Sequence, residues 1–316
     1  MRIAIAGAGA MGSRFGYKLV ETGHDVLLVD SWEEHVRTIQ TNGLLVKEDH
    51  GMKSVKIKSA LPQESEGEFD LLLILTKSMQ TDQMMMNCQH LINSSTSVLT
   101  LQNGLGNIEV IEKYVSRDRI FAGVTTYAAE VLGPGKVQAL GSGDTEIMQI
   151  DGNDSATVKL IAQALNAAGV RTEISSNVLA SIWKKVSFNC ALNPICTLMN
   201  NTVATVGCYE GIQDFVAGII DEILLVAKSE NIDIEKESII TMVNSVFDPK
   251  MSGHHIPSML QDILNGRQTE VDYLNGAIVR LGEKYNIPTP NNKQIWHLIK
   301  MLEHTTKTPY IHEVIR

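Results

Sequence analysis

A chain of 316 residues, 44% hydrophobic and 20% charged, is long and apolar enough to bury the cores of about two domains, which excludes a disordered or fibrous chain. Its formal net charge of −9, with no clustered Lys or Arg, excludes the basic stripe that nucleic acid requires. Cys88, Cys190, Cys196 and Cys208 form no C-x-x-C pair and read as reduced thiols, so neither a disulfide framework nor a cysteine metal site is expected. The first residues enter a strand directly, without a signal-peptide or membrane-span pattern, and the expected location is cytoplasmic with no membrane partner.

In chain order, Arg2–Ala6 reads as a short apolar strand, 11–22 as a helix closed at Gly23, Asp25–Val29 as a second strand and 32–40 as a second helix. Segments 44–47 and 54–58 read as a hairpin about a turn at 49–51. The apolar run 69–75 is expected to be a strand buried on both faces, followed by a helix over 79–91 whose Met84-Met85-Met86 fills core gaps. A strand over 97–101 and a helix over 107–115 complete a repeated β-α pattern, which implies a parallel sheet. From 121 to 150 the pattern is β-rich, with a turn at Gly133-Pro134-Gly135. A helix over 155–168 and a strand over 171–174 close this half.

Beyond about residue 175 strand signals vanish, and helices are expected over 177–200, 211–231, 235–247, 257–265 and 268–285, with a tail helix near 295–304. The expected fold class is therefore α/β: an N-terminal doubly wound, Rossmann-like parallel sheet over 1–174, then an all-helical domain over 175–316. A homodimer through the helical domain is one assembly open to it.

Between the first strand and helix stands Gly7-Ala8-Gly9-Ala10-Met11-Gly12. G-x-G-x-x-G alone is weak evidence; after a strand, before a helix and with an acidic residue about 20 positions on, it points to a dinucleotide. The glycines permit a tight turn and close approach of backbone to phosphate, and the helix N-terminus supplies free N–H groups. Asp30 ends the second strand, where a carboxylate accepts from the adenosine ribose hydroxyls and repels a 2′-phosphate. Neighbours Ser31 and Trp32 supply no cation, so NAD(H) is favoured over NADP(H).

Lys185, Asn189 and Asn193 fall at i, i+4 and i+8 in an otherwise apolar helix, which aligns an ammonium and two amides on one face. Such a stripe either bonds to a neighbouring domain or lines a site. Reduction of a ketone by a nicotinamide needs a proton donor at the developing alkoxide, a task suited to a lysine.

Lys185-x3-Asn189-x3-Asn193-Pro194, taken with the glycine turn, resembles the ketopantoate reductase family. Further likenesses are Gln102-Asn103-Gly104-Leu105-Gly106, Thr125-Thr126-Tyr127-Ala128-Ala129, Pro257-Ser258-Met259-Leu260-Gln261-Asp262 and the glutamate helix Thr269-Glu270-Val271-Asp272-Tyr273-Leu274-Asn275-Gly276. The resemblance implies an oxidoreductase that reduces 2-dehydropantoate to (R)-pantoate, with Lys185 as proton donor and Asn189, Asn193 and Ser258 on the substrate. It further implies that Asn103 touches cofactor and substrate, that Glu270 contacts the nicotinamide ribose and orients Lys185, and that Lys77 and Ala129 border the cofactor.

The sequence departs from the family at Asp30-Ser31, where NADPH-preferring members carry Arg or another non-acidic residue, and at Val203, where the best-known members carry a substrate-contacting Asn. These departures keep open a second reading: an NAD-dependent D-2-hydroxyacid dehydrogenase of the same family acting on acids such as mandelate. A non-catalytic dinucleotide sensor is a third, which would not need Lys185, Asn189, Asn193, Ser258 and Glu270 together. His297 and His304 have no companion at metal-ligand spacing, and the adjacent His254 and His255, on a strand or loop, are expected to point differently, so no metal is expected.

Overall fold

The computed structural model describes residues 1–49, 51–248 and 256–306. They divide into two compact units, Met1–Ser181 and the residues from Ile182 onward.

In the first unit the chain runs β1 (Arg2–Ala6), α1 (Ala10–Glu21), β2 (Asp25–Val29), α2 (Glu33–Asn42), β3 (Leu44–Glu48), β4 (Gly51–Val55), β5 (Lys58–Ala60), β6 (Leu71–Ile74), α3 (Thr81–Asn87), β7 (Ser97–Thr100), α4 (Asn107–Ile111) and β8 (Ile120–Thr125). It continues through β9 (Ala128–Gly133), β10 (Lys136–Leu140), β11 (Thr145–Gln149), α5 (Ala156–Ala167) and β12 (Thr172–Ile174). The main sheet has the order β12-β11-β8-β7-β6-β1-β2-β5. From β5 to β8 every pairing is parallel, whereas β11 runs antiparallel to β8.

This is the doubly wound arrangement expected from the alternating pattern. Its strand order reverses between β1 and β6, and in such sheets ligands bind outside the carboxyl ends of the strands at that point. Ile3, Ile5, Leu71, Leu73, Leu99 and Phe121 are buried along these strands, which explains runs without polar alternation.

A second sheet, β4-β3-β10-β9, lies against α1. The Arg14 guanidinium ties helix to sheet: it donates to the carbonyls of Ala128, Leu140 and Gly141 and lies over the Tyr127 ring.

Three expectations for this unit change, one being the helix over 107–115, whose α-helical part ends at Ile111. The segment 54–58 is not one hairpin arm: β4 ends at Val55, and β5 starts at Lys58 in the main sheet, paired parallel to β2. Val55 and Ile57 alternate with Lys56 and Lys58, so a single period of two runs through the change of sheet and hides it. The helix over 79–91 is α3 flanked by 3₁₀ turns at Ser78–Gln80 and Gln89–Leu91. His50, in the expected turn at 49–51, lies outside the described residues.

The second unit holds α6 (Val178–Leu198, begun in the first unit), α7 (Val203–Gly207), α8 (Ile212–Ser229), α9 (Lys236–Phe247), α10 (Ser258–Leu264), α11 (Asn275–Tyr285) and α12 (Pro290–Thr306). Among the described residues it contains no strand. Helix α8 packs on α11 and α12 through a core that includes Ile219, Ile223, Ile278 and Ile299.

The expected helix over 268–285 is broken: Glu270 precedes a 3₁₀ turn, Val271–Tyr273, and α11 starts only at Asn275. Tertiary bonds to α12 override helical propensity here. Glu303 accepts from the Thr269 N–H at 2.8 Å and its hydroxyl at 2.7 Å, while Asp272 accepts from Trp296 Nε1 at 2.7 Å and from Lys300 at 2.8 Å. No helix among the described residues is long and apolar enough to cross a membrane.

Candidate active site

Strand β1 delivers the chain into the glycine turn, where the Gly7 N–H donates to the Val29 carbonyl at 2.8 Å. Each glycine has a separate physical reason. Gly7 has φ of 99°, and a Cβ there would lie 2.5 Å from the Thr76 nitrogen. At Gly12 a Cβ would lie 1.8 Å from the Gly7 carbonyl oxygen, so helix α1 closes on the turn only without a side chain. A Cβ on Gly9 would meet nothing within 4 Å: bare backbone faces open space. Gly9 also caps α1 without a side-chain hydrogen bond, and the first turn holds no acidic residue, so its N–H groups are left for an anion. This arrangement fits a dinucleotide pyrophosphate.

Past the carboxyl ends of β2, β6 and β7, at the same edge of the main sheet as the turn, stand Asp30, Lys77 and Asn103. Asp30 is half-buried and accepts from the Trp32 N–H at 2.9 Å through one oxygen, leaving the second. Arg37, the nearby cation on α2, is engaged by Glu64 at 2.7 Å and by Glu33 at 3.5 Å. Lys77 follows β6 beside Thr76 and leads into a 3₁₀ turn. Asn103 follows β7, and its carbonyl accepts from the Ser78 hydroxyl at 2.7 Å and from Asn107 Nδ2 at 2.9 Å. Ala129 lies on β9, paired with Ala139 of β10. The structure thus joins the Gly7, Lys77 and Asn103 loops; Ala129 stands on the second sheet.

In the second unit, α6 carries Lys185, Asn189 and Asn193 on one face. Burial pushes the Lys185 ammonium down to about 8, and the Glu270 carboxylate opposes that shift by favouring the charged form. Structure therefore brings Lys185 and Glu270 together, although they are far apart in sequence. Asn189 and Asn193 are only 9% and 8% exposed, and among the described residues neither side chain makes a hydrogen bond. Their amide atoms keep a little contact with solvent and stay free of protein partners, which suits a polar ligand. Ser258 is the first residue of α10 and is exposed.

Among the described residues no three His, Cys, Asp or Glu side chains gather as a metal site, and His254 and His255 lie outside them. His297 stacks on Trp296 with ring centroids 5.0 Å apart.

The sequence pattern of ketopantoate reductase PanE/ApbA matches residues 3–152, and that of the ketopantoate reductase PanE/ApbA C terminal matches residues 177–303. The chain belongs to the ketopantoate reductase family. Among curated members, a 2-dehydropantoate 2-reductase of Lactococcus lactis subsp. lactis (strain IL1403) is 39% identical over 310 residues, covering 97% of this chain and 99% of that protein. Among solved structures, a ternary complex of D-mandelate dehydrogenase with NADH and anilino(oxo)acetate is 39% identical with a TM-score of 0.95, covering 97% and 100% of the two chains. A PanE/ApbA family ketopantoate reductase from Ralstonia eutropha JMP134 is 28% identical with a TM-score of 0.89, covering 97% and 100%.

Within this ketopantoate reductase fold, several supporting residues escaped the sequence reading. His35 donates from Nε2 to the Ala8 carbonyl at 2.9 Å and accepts at Nδ1 from the Gly135 N–H at 3.0 Å, joining the glycine turn to the β9–β10 connection. Burial holds His35 below the usual imidazole range, consistent with that neutral tautomer. Gln102 Nε2 donates to the Thr76 carbonyl at 2.9 Å and to Thr81 Oγ1 at 2.8 Å, locking the loops after β6 and β7 together. Gln102 stands within Gln102-Asn103-Gly104-Leu105-Gly106, but nothing local signals its partners. Glu303, which holds Thr269 beside Glu270, gives no sequence signal.

Proposed function

We propose that this chain reduces a 2-keto acid, 2-dehydropantoate, to its (R)-2-hydroxy acid, with Lys185 as proton donor. The carrying observation is Lys185 itself: a half-buried lysine brought down to about 8, near a carboxylate and on one face with two unpartnered amides. A lysine in that range is largely protonated at neutral pH yet acidic enough to give its proton up, as general acid catalysis favours.

When bound, a dihydronicotinamide supplies the hydride to the keto carbon. The carbonyl electron pair then takes the proton from Lys185 Nζ, whose charge first stabilises the developing alkoxide. Glu270 retains Lys185 in the charged form and is assigned to the nicotinamide ribose. Asn189, Asn193 and Ser258 are assigned to the carboxylate and hydroxyl groups of the substrate. Gly7 to Gly12, Lys77, Asn103 and Ala129 are assigned to the dinucleotide. Asp30 is assigned to the adenosine ribose, and with Arg37 held by Glu64 and Glu33 it favours NAD(H) over NADP(H).

A second reading keeps the site and changes the acid. Val203, 4% exposed on α7, replaces the amide expected there, and an apolar residue suits an apolar substrate tail. With Asp30 and the likeness to D-mandelate dehydrogenase, this favours NAD-dependent turnover of mandelate-type D-2-hydroxy acids.

Initial rates with NADH and NADPH against 2-dehydropantoate, phenylglyoxylate and 2-ketoisovalerate separate these readings. The proposal predicts turnover of 2-dehydropantoate, faster with NADH. Fast phenylglyoxylate reduction with negligible 2-dehydropantoate turnover selects the second reading, a strong NADPH preference overturns the role of Asp30, and no turnover on any acid overturns both.

A further inference from the structure

Helix α6 contains Pro194 in its interior, immediately after Asn193 of the polar face. A proline has no N–H to give the carbonyl four residues earlier, and its ring crowds that carbonyl. The carbonyl concerned belongs to Cys190, immediately after Asn189. A buried carbonyl left unmet costs about 1–3 kcal/mol. Asn275, fully buried at the start of α11, meets it: Nδ2 donates to the Cys190 carbonyl at 3.2 Å.

The second N–H of the same amide donates to Asn292 Oδ1 at 3.0 Å. Asn292, also fully buried, donates through Nδ2 to Glu222 at 2.7 Å, and Glu222 accepts the Asn291 and Asn292 backbone N–H groups at 2.8 and 3.0 Å. A carboxylate on α8 thus fixes an amide on α12, which fixes Asn275, which holds the interrupted turn of α6. Asn275 Oδ1, by contrast, is buried and makes no hydrogen bond among the described residues, so the side chain acts through its two donors.

We infer that Asn275 is a positioning residue for substrate binding: it replaces the helical donor that Pro194 removes and so sets the relation of Asn189 to Asn193. The inference rests on the assignment of those two amides to the substrate. Asn275→Leu keeps the volume and removes the donors. Its KM for the keto acid is expected to rise at least about tenfold, with NADH affinity unchanged and kcat per folded site nearly so. A merely structural role would lower the folded fraction and leave KM alone.

Pro194→Ala restores an N–H to the Cys190 carbonyl, so in that background Asn275→Leu is expected to change KM less than about threefold. An unchanged KM in Asn275→Leu, or the same factor in both backgrounds, overturns the inference. If Asn275→Leu does not fold, the double variant is expected to fold; its failure to do so also overturns the inference. Hydrogen exchange over 186–194 reads the same coupling without turnover: amides exposed by Asn275→Leu regain protection in the double variant, and unaltered exchange contradicts the inference. Absence of turnover by the parent chain counts against the functional reading and leaves the exchange result to decide this one.

Discussion

The role proposed for Lys185 rests on two opposing influences that leave its acidity near neutral pH. Burial disfavours the ammonium, Glu270 favours it, and burial prevails to give about 8. The sign of the pH dependence follows. Reduction needs the protonated lysine, so its rate falls as pH rises through about 8, whereas oxidation of the hydroxy acid needs the neutral amine and rises over the same interval. Rate profiles in both directions check this, and parallel profiles would contradict it. Removing Glu270 removes the influence that keeps the lysine charged, so Glu270→Gln is expected to shift the reductive fall to lower pH. At the other end of the dinucleotide, Asp30→Ser removes the like charge that meets a 2′-phosphate. The NADPH-to-NADH ratio of kcat/KM is expected to rise at least about tenfold, a change of roughly 1.4 kcal/mol; an unaltered ratio would remove Asp30 from cofactor choice.

At the scale of the elements, the glycine turn separates steric from ligand-bearing positions. A Cβ at Gly12 has the Gly7 carbonyl 1.8 Å away, so Gly12→Ala is expected to lower the melting temperature sharply. A Cβ at Gly9 has open space, so Gly9→Ala is expected to fold normally and lose dinucleotide affinity, measured by NADH fluorescence titration. Equal effects on folding would contradict this division. The turn, α1 and the strands β1, β2, β6 and β7 were legible because their apolar runs and caps are local. The stripe on α6 was legible for the same reason. The switch from β4 to β5 was not, because one alternating pattern crosses two sheets. Nor was the break after Glu270, where Thr269 and Asp272 obey partners on α12 rather than their own helical spacing. The pairing of Lys185 with Glu270 entered only through family resemblance, since no spacing rule links residues so distant in sequence.

For the whole molecule, both units carry polar groups that protein partners do not engage and that suit a ligand. The first presents an uncapped helix start over a bare glycine backbone at the point where strand order reverses. The second presents a lysine of lowered basicity and two amides without protein partners on one helix face. Catalysis of hydride and proton transfer to a keto acid accounts for the two together, and a sensor would leave Lys185 unexplained. The most direct measurement is the rate of NADH oxidation with 2-dehydropantoate and phenylglyoxylate by the parent chain and by Lys185→Ala, with NADH affinity measured alongside. The account predicts turnover by the parent, a loss of about 10²–10³ in kcat in the variant and unchanged NADH affinity. Parent-like turnover by Lys185→Ala on every acid that the parent reduces would contradict it.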